Sequence, residues 1–416
     1  MPRLSRHPLR RFLALLPLHF NPWSASTSDL RELHRRHNRT PRPRISPLWR
    51  VPVIVSSVLV WPLWSLGLTL RLVRRRSRAV RALGGPRPLR QAAELLWLAN
   101  VHTVHPRDYY YFNLWRPGAR AEAADFLADG RAQSIFAAIN RGVDTSTLDD
   151  KQTFHDFCAN HGLGTPPILA RISAGRARLL SSADALQRDL FVKPRGGARA
   201  RDTARWTFDP VTGRYRRGDD SPALAWPELV AHYEGLSQRE EFLVQPRLRD
   251  HGAIADIGNG SLSTIRLITI VQPDGTIREF ASMFNVPTRA ALINNLADGG
   301  LAVTVDSARG VLRDAFTGAP GNPRFTRNPF NGAPIAGRSL PCWRETVALA
   351  EAAHARLAAI AIIGWDIAIT DRGPLILEGN HQISLNFHQL PPNGPFGRTA
   401  FPGLLLAQWR RKDASP

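Results

Sequence analysis

The sequence predicts a mixed α+β protein whose sheets are built from antiparallel pairs, and three observations carry that expectation. Short apolar runs broken by turn residues fill the chain from about residue 165 onward. Two of them fold back as hairpins, "STIRLITIVQPDGTIREFASMFNV" about its "PDG" and "GWDIAITDRGPLILEGN" about its "DRG". Between them Trp343, Val347, Ala350, His354, Leu357 and Ala361 recur at helical spacing. Hairpins with segregated helices argue for α+β rather than an alternating parallel fold. At 416 residues the chain can bury one large or two ordinary domains.

The first 90 residues form a basic N-terminal extension. Nineteen arginines against Asp29 and Glu32 give it +17 of the formal +21, leaving +4 for the remainder. A basicity so confined argues against a nucleic-acid-binding body, and no nucleic acid is expected as a partner. Tracts such as "RLVRRRSRAVR" suit an anionic membrane surface or a solvated arm. Between the tracts, residues 51–70, "VPVIVSSVLVWPLWSLGLTL", carry no charge over a length that reaches across a bilayer. They read equally as a membrane helix, spanning or interfacial, and as a helix packed on the soluble body. "FLALLPLHF" is short and lacks a small-residue cleavage site, so a secretory signal is not expected. Cys158 and Cys342 are far apart with no CxxC spacing, which fits a reducing compartment and a cytoplasmic protein associated with membrane.

"GGPRPLR" (84–90) reads as a linker. Residues 91–160 read as a helical lead-in, with helices over 91–102, 121–140 and 149–162. His354, on the apolar stripe, reads as a core histidine.

The late hairpin poses a chemical question. A three-residue loop, Asp371 to Gly373, sets Thr370 against Pro374, Ala368 against Ile376 and Asp366 against Glu378, with Asn380 on the Glu378 face. Opposed carboxylates repel, so either one holds a proton or both bind a cation. Oxygen donors without sulfur or imidazole suit magnesium. Elsewhere only Lys151, Lys193 and Lys412 break the preference for arginine. Lys193 ends an apolar strand before "RGGARARD", where backbone N–H groups and an ammonium suit phosphate; the alternative is a chance surface lysine. Arg266, inside "STIRLITI", requires an anion, either a structural carboxylate or a ligand phosphate. "NNLADGG" (294–300) and "NHQISLNF" (380–387) add donors of the kind that line polar pockets.

In this order the features resemble the ATP-grasp superfamily, and more narrowly its sugar-transfer-associated, alpha-L-glutamate-ligase-related branch, from about residue 100 to 405. The resemblance implies two lobes with antiparallel sheets holding ATP between them, lobe 1 over 161–245 and lobe 2 with the metal site over 246–405. It implies phosphate contacts from Lys151 and Lys193, and an adenine hinge over the backbone of Val244, Gln245 and Leu248. Arg266 would meet the γ-phosphate or acyl-phosphate, with Lys193 and Arg266 catalytic and Asp366, Glu378 and Asn380 on magnesium. Two positions depart from the pattern: Gly379 stands where the superfamily has an apolar residue, and Pro246 removes a hinge donor. The implied function is an ATP- and magnesium-dependent carboxylate ligase forming an amide or ester through an acyl-phosphate, acting on a cell-surface polysaccharide, a glycan or its precursor. Its partners would be a small-molecule carboxylate and an amine or hydroxyl acceptor. The alternatives are an ATP-grasp kinase acting on a sugar-like hydroxyl and a membrane-associated scaffold with a degenerate nucleotide site.

Overall fold

The computed structural model describes residues 25–40, 47–196, 202–218, 221–258, 260–287, 300–390 and 393–414, with backbone alone for 47–58. The Gly-rich loop beyond Gly196 and most of "NNLADGG" lie outside these residues.

Two antiparallel sheets organise the chain. The first holds β1 (Ala170–Ser173), β2 (Arg176–Leu179), β3 (Leu190–Pro194), β4 (Ala204–Asp209), β5 (Arg214–Arg217) and β6 (Phe242–Pro246), in the order β2-β1-β6-β3-β4-β5. Alternation along β3 buries Leu190 and Val192 against helix α7 (Trp226–His232) and turns Phe191 and Lys193 to the opposite face.

The second sheet holds β7 (Thr264–Val271), β8 (Ile277–Val286), β9 (Leu301–Asp306), β10 (Val311–Phe316), β11 (Arg324–Phe325), β12 (Ile362–Thr370) and β13 (Gly373–Asn380), in the order β11-β10-β9-β8-β7-β12-β13. Every residue of β12 is buried, as its unbroken apolar run requires of a strand covered on both faces. Ile265, Leu267, Ile363 and Ile367 pack with α8 (Trp343–Ala355). Ile268, Ile270 and Ile362 pack the other way, onto α1 (Ser28–Arg39), α5 (Asp129–Ile139) and α9 (Phe401–Ala414). The two ends of the described chain thus share one layer, and Arg36 pairs with Asp413 at 2.8 Å. The sheets meet where the edge of β13 receives residues 164–165, through Ile376 N donating to Gly164 O at 2.8 Å and Thr165 Oγ1 to Ile376 O at 3.0 Å.

The lead-in is helical: α2 (Pro47–Ala82), α3 (Pro88–Val101), α4 (Pro106–Tyr111), α5 and α6 (Lys151–Asn160). The apolar segment 51–70 lies inside α2, and among the described residues no helix is long and apolar enough to cross a membrane. The expected linker is shorter than 84–90, because Pro88 opens α3, where proline's missing N–H costs nothing. The helix expected over 121–140 is broken into a 3₁₀ turn, Ala119–Asp125, and α5. The break has a tertiary cause: the Gln389 amide takes both Leu127 backbone groups, with Leu127 N donating to its Oε1 and its Nε2 donating to Leu127 O, each at 2.9 Å.

The β12–β13 hairpin corrects the expected register. Its turn has two residues, so Thr370 pairs with Gly373, Ile369 with Pro374 and Ala368 with Leu375. A bulge between Asp366 and Ile367 then absorbs one residue, and Asp366 pairs with Glu378 after all. The two differences cancel at the acids. Gly373 does hold the left-handed region, at φ +98°. Gly379 is explained by its cross-strand partner: a Cβ there would lie 2.8 Å from the Trp365 ring and 3.0 Å from Leu148.

Trp365 also anchors a polar thread through the core. Its indole N–H donates to Thr269 Oγ1 at 2.8 Å; that hydroxyl meets His354 Nδ1 at 2.7 Å, and His354 Nε2 meets Ile360 O at 2.7 Å. Since a carbonyl only accepts, Nε2 carries the proton and Nδ1 accepts from Thr269. Burial holds His354 neutral by lowering its pKa to about 4 against the Ile360 bond. It is the core histidine the sequence suggested. Thr269→Val would leave the indole N–H and Nδ1 unsatisfied, and urea unfolding should show a loss of about 2–4 kcal/mol, from roughly 1–3 kcal/mol per orphaned group.

Candidate active site

The site begins as a row of three residues across adjacent strands. Arg266 on β7 pairs with Asp366 on β12, and Asp366 pairs with Glu378 on β13. Directly opposed side chains lie close enough to interact strongly. Arg266 grips Asp366 in a bidentate fork, Nε to Oδ1 at 2.9 Å and Nη2 to Oδ2 at 2.8 Å. Of the two anions left open by the sequence, the structural carboxylate is the one Arg266 holds here. Its Nη1 makes no hydrogen bond among the described residues, and 36% of the side chain remains exposed, facing the cleft.

The carboxylates therefore have opposite fates. Burial works against the charge of Asp366, but Arg266 outweighs it and holds the pKa below the usual carboxylate range. Burial and the adjacent Asp366 charge both push Glu378 up, so it is the one that favours a proton. Asn380 Nδ2 donates to Glu378 Oε1 at 3.3 Å, from the same face. Two carboxylates and a carboxamide oxygen fit a hard divalent cation, and Glu378 lacks the countercharge that one would supply. Among the described residues no group of three His, Cys, Asp or Glu side chains converges to hold a metal. The donor set thus fits an ion that takes most of its shell from phosphate oxygens and water, as magnesium does.

The lysines arrive from the first sheet. Lys193 faces the cleft, and its ammonium makes no hydrogen bond or ion pair among the described residues. Burial lowers its pKa to about 8, with Glu378 opposing and Lys151 adding to the shift. Lys151 opens α6 behind Asp150, which caps the helix by accepting from Thr153 N at 2.8 Å. Asp150 also takes Arg195, just past β3, at 2.8 Å, and Arg195 reaches Glu241 at 2.8 Å, so one ion-pair group ties both lysine-bearing elements together. Lys151 Nζ donates to Gly196 O at 3.1 Å, and burial lowers its pKa while Glu378, Glu240 and Asp150 raise it. At the expected hinge, Val244 pairs with Ala170 and Val192 inside the sheet, and the Gln245 side chain donates to Pro166 O at 3.0 Å. Arg247 N donates to Asp189 O at 2.8 Å and Pro246 has no N–H, which leaves Leu248 with the free donor among residues 246–248.

The structure adds residues that sequence reasoning missed. Asp129, at the start of α5, accepts from Ser384 Oγ at 2.7 Å and from the N–H groups of Leu385 and Asn386 at 2.9 and 3.1 Å. This fixes the loop after β13, and that loop seats His388 on the backbone of Arg266. Burial raises the pKa of Asp129 against these bonds and against Arg266. Nearby, burial pushes Asp108 up to about 7, and the Tyr111 hydroxyl, raised by burial and by both aspartates, is buried without a hydrogen bond. The helix-starting Asp in "LADG" was the available signal for Asp129. Asp108 and Tyr111 had none.

The family model for sugar-transfer associated ATP-grasp proteins matches residues 131–399, from α5 through both sheets to the loop before α9. The chain belongs to this family. The ATP-grasp fold expected from the sequence is accordingly its fold, with two antiparallel sheets and an N-terminal helical region. Comparison with curated proteins finds no match. Among solved structures, an N5-carboxyaminoimidazole ribonucleotide synthetase bound to ADP is 12% identical at TM-score 0.35, over 59% of this chain and 47% of that one. The chain thus spans about half of that synthetase's length. A D-alanine–D-alanine ligase from Bacillus anthracis complexed with ATP is 12% identical at TM-score 0.36, over 66% of this chain and 67% of the ligase. An L-amino acid ligase from Bacillus licheniformis is 12% identical at TM-score 0.35, over 67% and 54%. Family membership rests on the 131–399 match.

In this ATP-grasp protein the lowered pKa of Lys193 has a measurable consequence. Bound phosphate would restore its proton, so between pH 8 and 10 ATP binding should take up protons and weaken as pH rises. Calorimetry at pH 8.5 in buffers of different ionisation enthalpy should detect the uptake, and Lys193→Ala should remove it.

Proposed function

We propose that this protein is an ATP- and magnesium-dependent ligase that activates a carboxylate and joins it to an amine or hydroxyl, in cell-surface glycan metabolism near an anionic membrane. The observation that supports this most is the unpaired Lys193 ammonium, electrostatically coupled to Lys151 and Glu378, in a cleft whose other wall is the Arg266–Asp366–Glu378 row. A buried cation without a partner is costly, and a phosphate would relieve it. The glycan assignment takes support only from the family description.

Lys193 and Lys151 would hold the nucleotide phosphates, and Leu248 N–H would remain for the base. Magnesium, held by Glu378, Asn380 and Asp366, would neutralise charge on the phosphates. Arg266, oriented by Asp366, presents Nη1 to the cleft, where it would stabilise the oxygens of the transferring group. A substrate carboxylate oxygen attacks the γ-phosphorus and ADP leaves; the acceptor then attacks the carbonyl carbon, phosphate leaves, and the acceptor's proton passes to a base. Arg266 is coupled to Asp129 as well as Glu378. Asp129, Asp108 and Tyr111 therefore lie beyond it from the lysines and would receive the acceptor.

ATP should bind calorimetrically with magnesium and at least 10-fold more weakly without it, and Lys193→Ala should reduce affinity by at least 10-fold. In a screen of candidate acids, hydroxylamine should trap a hydroxamate as ADP is released. ADP without hydroxamate in the presence of sugars would favour the kinase instead. Retention of function in an Asp366→Ala, Glu378→Ala double variant, with no magnesium-dependent ATP binding, would favour the scaffold.

A further inference from the structure

Helix α2 is built the wrong way round for a protein surrounded by water. From residue 59 on, its inward positions include Ser65 and Thr69, both fully buried, while Leu59 and Leu63 are 67% and 72% exposed. Leu66 and Leu70 continue the outward stripe, at spacings of three and four residues. The buried polar groups are used within the hairpin that α2 makes with α3: Asn100 Nδ2 donates to Ser65 Oγ at 3.3 Å, and Trp61 Nε1 donates to Ala99 O at 2.9 Å. Helix α3 repeats the pattern, with Leu89, Trp97 and Val101 exposed at spacings of eight and four. Hydroxyls and amides inside with leucines outside is the arrangement that an apolar surround selects. Immediately after Leu70 the same helix exposes Arg71, Arg74, Arg75, Arg76, Arg78 and Arg81, and from residue 59 to 93 there is no acidic residue.

We infer that the outward face of the α2–α3 hairpin docks on an anionic lipid bilayer, with the leucines and Trp97 entering the acyl boundary and the arginines meeting phosphate headgroups. Charge decides the occupant. A face with six consecutive exposed cations and no acid favours an anionic surface, and its apolar stripe requires one with a hydrocarbon layer beneath. This deepens the membrane placement proposed above and does not depend on the ligase reading, since it uses no residue of the cleft.

The test is co-sedimentation of the full chain with vesicles of phosphatidylcholine alone or containing phosphatidylglycerol, with ATP titration as an independent check on the cleft. Binding should be at least 10-fold stronger to the anionic vesicles and weaken with salt. It should fall at least 10-fold both in Leu63→Ser, Leu66→Ser and in Arg74→Gln, Arg75→Gln, Arg76→Gln, with ATP affinity unchanged as evidence of folding. Unchanged vesicle binding in both folded variants would overturn the inference. So would a stable dimer that Leu63→Ser, Leu66→Ser dissociates, which would assign the face to a second copy. Loss of ATP binding with vesicle binding intact would instead count against the nucleotide reading alone.

Discussion

The bidentate grip of Arg266 on Asp366 is the interaction around which the rest is arranged. Three strands place a guanidinium, a carboxylate and a second carboxylate in one row, and a single cation cannot neutralise two adjacent anions. Asp366 takes the guanidinium, and Glu378 is left with a raised pKa and no countercharge beyond what a proton provides. That unmet charge faces two lysines across the cleft, one of which has no partner of its own. Excess negative charge on one wall and excess positive charge on the other is a poor arrangement for stability in an empty cleft. It suits a ligand that carries both signs, as a metal-bound polyphosphate does.

The fold makes this precision affordable by keeping the acids on the most rigid strand pair. β12 is buried on both faces, its Trp365 ring fills the space over Gly379, and the Thr269–His354 thread fixes that ring by hydrogen bonds that leave the histidine neutral. The lysines are held differently, by Asp150 and Glu241 acting through Arg195 at the half-exposed rim of the first sheet. One wall is set by packing and the other by ion pairs, so the second is the more sensitive to salt and to movement of the loop that follows Gly196.

The N-terminal region plays two parts in this architecture. α1 closes the back of the second sheet together with α9, and α4 brings Asp108 and Tyr111 toward the Asp129 side of the cleft. α2 and α3 turn leucines and arginines outward instead. The same ninety residues that lie outside the family match therefore complete the core on one side and present an unusual surface on the other.

Local chemistry was enough to determine a good deal here. Alternation and turn residues specified the hairpins, the opposed Asp366 and Glu378 announced an electrostatic conflict, and the scarcity of lysine singled out Lys151 and Lys193. The order of those residues identified the fold. Contacts distant in sequence decided the rest. The sequence could not show that a two-residue turn and a bulge would offset each other, because register depends on how β12 packs against β7 as well as on its own turn. Nor could it show that Gln389 would interrupt a helix at Leu127, that Asp129 would clamp the loop beneath Arg266, or that the buried side of α2 would be its polar side. Periodicity reveals that a helix has two faces; which face turns inward is settled by the neighbour that supplies the hydrogen bonds, and for α2 that neighbour is Asn100.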